Sequence, residues 1–159
     1  MLFRSSGLGK TSLLLAGLFP ALRKERLFPV YLRLRQGQQA GNLQIQLWNA
    51  LTAQCRSNGV AYDAANADSL KAENDWFWLY LHRQQPGLRD AGGAPLQPVF
   101  ILDQFEEQFT LGMKDSIHLE RTFAELGDLL ENRIPRSVAA RLEHDDAIFD
   151  HHDLDTQSY

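Results

Sequence analysis

The sequence holds a single cysteine, Cys55, which excludes an internal disulfide. That scarcity fits a reducing compartment, so a cytoplasmic location is expected. No apolar run approaches the roughly 20 residues that a membrane span needs, so no membrane partner is expected. Positive charge is not in excess either: 16 lysines and arginines face 20 acids, for a net charge of −4. Bulk charge therefore predicts no nucleic-acid partner. A secretory leader is not expected. The apolar residues 13–22 follow Arg4 and Lys10 as a leader core would, but Pro20 interrupts them and no small-residue cleavage pattern precedes Arg23. No internal repeat is visible. What remains is a globular composition, 44% hydrophobic and 23% charged, over 159 residues, the size of one ordinary domain.

The stretch around which the chain is organised is 4–15, RSSGLGKTSLLL. A glycine loop running into a helix converges backbone N–H groups on one point, where the helix dipole is positive. Gly7 and Gly9 let the backbone curl close to a ligand. Lys10 supplies a mobile charge for terminal phosphates, and the Thr11 hydroxyl is suited to holding Mg²⁺. The nucleotide contacts expected are Ser6, Gly7, Leu8, Gly9, Lys10, Thr11 and Ser12. Two features of a full P-loop are lacking. Arg4 stands where the pattern has its first glycine, and only Met1, Leu2 and Phe3 precede the loop, where a strand of about five residues is usual.

Further along, residues 10–18 read as a helix ended or redirected by Pro20 near Phe19. Residues 28–35 read as a strand, with Val30, Leu32 and Leu34 on an apolar face and Tyr31, Arg33 and Arg35 on an amphipathic one. Asn42 is placed to cap a helix carrying Leu43, Leu47, Trp48, Leu51 and Cys55, which Asn58 and Gly59 end. Residues 60–68 read as a connection and 69–85 as a helix, whose aromatic run Trp76, Phe77, Trp78 and Tyr80 is expected to be core. Residues 87–97 read as a flexible loop. Residues 98–103, PVFILD, form a continuous apolar run of the kind found in parallel strands covered on both faces. Leu119, Phe123, Leu126 and Leu130 share a helical face before Pro135, and residues 137–142 form a short turn.

An apolar strand ending in Asp103 supplies what the phosphate loop needs, a carboxylate beside the Mg²⁺ held by Thr11. In parallel sheets ligands sit at the carboxyl ends of strands, where Asp103 and Lys10 would meet. Glu106 or Glu107 can polarise an attacking water, Glu106 being favoured, although acids at a helix start also complement its dipole. The tail carries His144, Asp145, Asp146, Asp150, His151, His152 and Asp153, but their spacing fits no closed metal site and a solvated acidic segment is the expectation.

With both motifs in view, the chain resembles the novel STAND family of NTPases, in the additional-strand P-loop class. The stretches that carry the likeness are SSGLGKTSLLLAGLFPALR, FPVYLRLR, PVFILDQFEEQFTLG and ENRIP, over most of residues 2–135. The resemblance implies an α/β fold, a three-layer α/β/α arrangement with a mostly parallel sheet. Residues 1–142 would form a partial P-loop domain, and 143–159 an acidic tail leading to a further strand. By the same resemblance Lys10 and Thr11 hold ATP and Mg²⁺, Asp103 the Mg²⁺, and Glu106 or Glu107 act in hydrolysis. Such proteins resemble signalling switches that self-associate and carry effector or repeat domains. Hydrolysis is not expected of this chain by itself. A non-hydrolysing nucleotide-binding module is the alternative, and a small-molecule P-loop kinase a weaker one.

Overall fold

The computed structural model describes residues 10–35, 41–82, 87–108 and 116–142. The residues 1–9, the loop 36–40 and the acidic tail 143–159 lie outside the described residues, and so do the expectations placed on them. Helix α1 is one continuous run: α-helical Lys10–Leu13, π-helical Leu14–Leu18 and α-helical Phe19–Lys24. Of the two outcomes expected of Pro20, the helix does not end near Phe19 but passes through the proline, changing its hydrogen-bond register there. Proline has no N–H to donate, and its ring crowds the carbonyl four residues back. The widened segment before it absorbs the conflict, with the Phe19 N–H donating to the Leu14 carbonyl.

Two strands, β1 (Leu27–Leu32) and β2 (Gln97–Leu102), pair in parallel, with Val30 opposite Phe100 and Leu32 opposite Leu102. The described chain is thus mixed α/β with a parallel sheet, as expected. Between the strands run α2 (Leu43–Asn58), α3 (Ala64–Leu70) and α4 (Trp76–Leu81). Side chains alternate across a strand, and β1 uses both faces. Phe28, Val30 and Leu32 join one apolar cluster with α2 and α4, where Phe77 meets Phe100 edge-on at 5.8 Å. On the opposite face Tyr31 meets Phe19 of α1 at 6.4 Å. Helices therefore lie on both faces of the sheet. The apolar run of β2, expected to be covered on both faces, is only half-buried, since among the described residues it pairs with β1 alone.

Local chemistry explains most element ends. The Asn42 side chain accepts from the Ile45 N–H at 2.9 Å, and Gly59, at φ 65°, closes α2 in the left-handed region. The single helix expected over 69–85 is instead two. Asp63 caps α3 through the Asn66 N–H, and the chain turns before α4. Buried Gln44 of α2 fixes that break, donating to the Asn74 carbonyl at 2.9 Å and accepting from the Phe77 N–H at 3.0 Å. The loop 87–97 is held by local hydrogen bonds and isolated bridges. Asp90 accepts from the Gly92 and Ala94 N–H groups, and Arg89 bridges both Ala61 and Pro95.

Helix α5 (Ser116–Leu130) buries Leu126 and sets Phe123 edge-on to Phe105 at 5.8 Å. Leu130, expected on the same covered face, is 76% exposed at the end of the helix, one turn beyond that packing. The short turn expected at 137–142 is a helix, α6 (Arg136–Leu142), which buries Val138.

Candidate functional site

The sequence-predicted residues fall in two places. Lys10 and Thr11 open α1 with helical backbone, and Ser12 follows them, exposed. Ser6, Gly7, Leu8 and Gly9 lie outside the described residues. Asp103 comes directly after β2, where its N–H donates to the Leu32 carbonyl at 2.9 Å and extends the parallel ladder by one rung. The chain then reverses through Gln104, which takes φ 54°. A non-glycine residue there costs roughly 1–2 kcal/mol, and such strain concentrates at functional sites. Glu106 is exposed, and Glu107 begins a helical turn in which its N–H reaches the Gln104 carbonyl at 3.0 Å.

The amphipathic face of β1 meets this acidic turn. The Tyr31 hydroxyl donates to Asp103 Oδ2. The Arg33 guanidinium donates to Glu107 Oε2 and forms an ion pair with it. The buried amide of Gln108 donates to the Leu34 carbonyl at 3.0 Å. The strand expected over 28–35 ends at Leu32, so Asp103 is tied to β1 through Tyr31 and Glu107 to the segment just after it through Arg33, while Glu106 has no partner among the described residues. The Arg33 pKa is raised above its ordinary value, first by the hydrogen bond to Glu107 and then by the nearby charges of Glu107 and Asp103. Sequence reasoning missed the roles of Tyr31 and Arg33. Their only signal was the alternation that put two long polar side chains on one face of a strand.

Tyr31 links α1 to the strand-end acid: its ring meets Phe19, nine residues after Lys10, and its hydroxyl donates to Asp103, so α1 packs at Phe19 on the sheet face where Tyr31 holds the acid. The donors present suit a hard cation such as Mg²⁺, which takes oxygen ligands. In the residue after Asp103, the buried amide oxygen of Gln104 has no hydrogen-bond partner among the described residues. A separate cleft, lined by Gln44, Asp75, Trp78, Glu125 and Asp128, lies among α2, α4 and α5 and includes none of these residues. Among the described residues no cluster of three or more histidine, cysteine or acidic side chains is arranged to hold a metal ion by itself. No described helix is long and apolar enough to cross a membrane.

Two parallel strands joined through helices, with an acid directly after one of them, make this an α/β domain with a parallel sheet. Within that class the chain belongs to the Novel STAND NTPase 1 family, whose model matches residues 1–157. It is a STAND NTPase domain, and nucleotide binding is the property common to that class. Comparison with curated proteins and with solved structures gave no match.

Proposed function

We propose that this chain is the ATP-binding domain of a STAND-type signalling switch, which binds ATP with Mg²⁺ and is reset by hydrolysis. The observation that carries the reading is the Phe19–Tyr31–Asp103 connection, which supports a shared site for the loop before α1 and the acid after β2. In this reading the N–H groups at the start of α1 receive phosphate oxygens. Lys10 places its charge on the terminal phosphates. Thr11 and Asp103 hold Mg²⁺, which when bound neutralises charge developing on the phosphate oxygens. Exposed Glu106 orients and deprotonates water, while Glu107 is engaged by Arg33. ATP binding and its loss would alter self-association and the placing of effector or repeat domains, in a cytoplasmic setting.

Calorimetric titration with ATP tests the site. Lys10→Ala should weaken binding by about 1.5–3 kcal/mol, the worth of a hydrogen bond to a charged group. Equal affinities for the two proteins would overturn the proposal.

A further inference from the structure

We infer that the cleft among α2, α4 and α5 is a binding site for one ordered water, which accepts from the Trp78 indole N–H, donates to the Glu125 carboxylate and so joins α4 to α5. Two of the residues that line this cleft carry a buried polar atom with no hydrogen-bond partner among the described residues, Nε1 of Trp78 and Oε2 of Glu125. Trp78 is only 4% exposed. Buried donors and acceptors are almost always paired, because leaving one unpaired forfeits its hydration with nothing in return.

The surroundings hold both groups in place. The Trp78 ring stacks on His82 at 3.9 Å, and His82 is itself engaged by the Trp78 carbonyl at 2.8 Å and by the Asn132 side chain. The other Glu125 oxygen accepts from Arg121 Nε at 2.8 Å, while Oε2 is enclosed. The remaining polar residues of the cleft already have partners. Gln44 bonds the Asn74 carbonyl and the Phe77 N–H, Asp75 accepts from the Ser137 hydroxyl, and Asp128 pairs with Arg133 at 3.5 Å. One donor and one acceptor are left, on two different helices.

Their chemistry selects the ligand. A cation would face the positive end of the indole N–H, and an anion would face the carboxylates of Asp75, Glu125 and Asp128. A neutral hydroxyl accepts from the first and donates to the second. The space in the cleft is about 10 Å³, room for a single water rather than a larger molecule.

Nuclear magnetic resonance of the 159-residue chain carrying isotope-labelled tryptophan tests this, with the Trp78 indole signal assigned through Trp78→Phe. In the parent, that N–H should show cross-relaxation to the water resonance with the sign of a long-lived bound water. Arg121→Ala, which removes only the exposed partner of Glu125, should keep the signal. Ser137→Ala should keep it too, since the contact is to water and not to a neighbouring hydroxyl. Glu125→Leu should abolish it while the indole resonance itself persists. No water contact in the parent, a contact that survives Glu125→Leu in a folded protein, or one lost in Ser137→Ala would overturn the inference. A crystal structure of the parent gives a second reading that needs no variant. A water within about 2.7–3.2 Å of both Trp78 Nε1 and Glu125 Oε2 supports the site, and a direct indole-to-carboxylate bond or a cleft without water refutes it.

Discussion

At the scale of single residues, Cys55 gives the most direct pH prediction. It is fully enclosed on the inner face of α2, and burial pushes its thiol up from 9.0 to about 11. A folded-state pKa above the unfolded one means that the native state keeps its proton more tightly. The associated stability is complete below pH 9 and is lost as pH rises from 9 towards 11. The size is at most about 2–3 kcal/mol, at 1.36 per unit. Burial also pushes the Tyr80 phenol up, so the slope must be read as a difference. Urea midpoints between pH 8 and 10.5 should fall more steeply in the parent than in Cys55→Ala. Parallel slopes would show that the thiol is not shielded. Nearby, a Cβ added at Gly87 would lie 2.6 Å from the Tyr80 hydroxyl, so this position admits only glycine without a shift of the ring or the loop.

At the scale of elements, α2 shows what sequence reading captures. Both of its ends are determined by residues adjacent to them, so Asn42 and Gly59 could be named without a structure. Asn42→Ala should cost about 0.5–2 kcal/mol through loss of the capping bond. Gly59→Ala should cost about 1–2 kcal/mol from its left-handed dihedrals alone, since nothing lies within 4 Å of an added Cβ. Chemical denaturation measures both, and a Gly59→Ala as stable as the parent would show that the cap tolerates side chains. The break between α3 and α4 was not legible for the opposite reason. It is held by Gln44, which lies 30 and 33 residues away from its two partners. Pro20 left two outcomes open for a third reason: a proline ends a helix only where the helix cannot change its hydrogen-bond register, and α1 changes it.

At the scale of the whole molecule, the aromatic residues of α2 and α4 form the structural centre. Trp48 packs edge-on against Trp76 at 5.7 Å and Tyr80 at 5.1 Å, and Phe77 joins them to β2 through Phe100. Phe77→Ala should cost about 3–5 kcal/mol, a large part of the 5–15 kcal/mol that stabilises an ordinary domain. A thermal melt should show a markedly lowered midpoint, and an unchanged one would place the core elsewhere. The core role of this aromatic run was readable in the sequence, as were the acid after β2 and the helix after the glycine loop. The way β1 serves the acidic turn was not, because Tyr31 and Asp103 are 72 residues apart and only the register of two strands joins them. The same core has a practical consequence for optical work. All three tryptophans, Trp48, Trp76 and Trp78, are buried in it, and all three belong to α2 and α4. Intrinsic indole emission will therefore report collapse of the core, and an indole introduced at Phe105 would add a reporter in the turn after the strand.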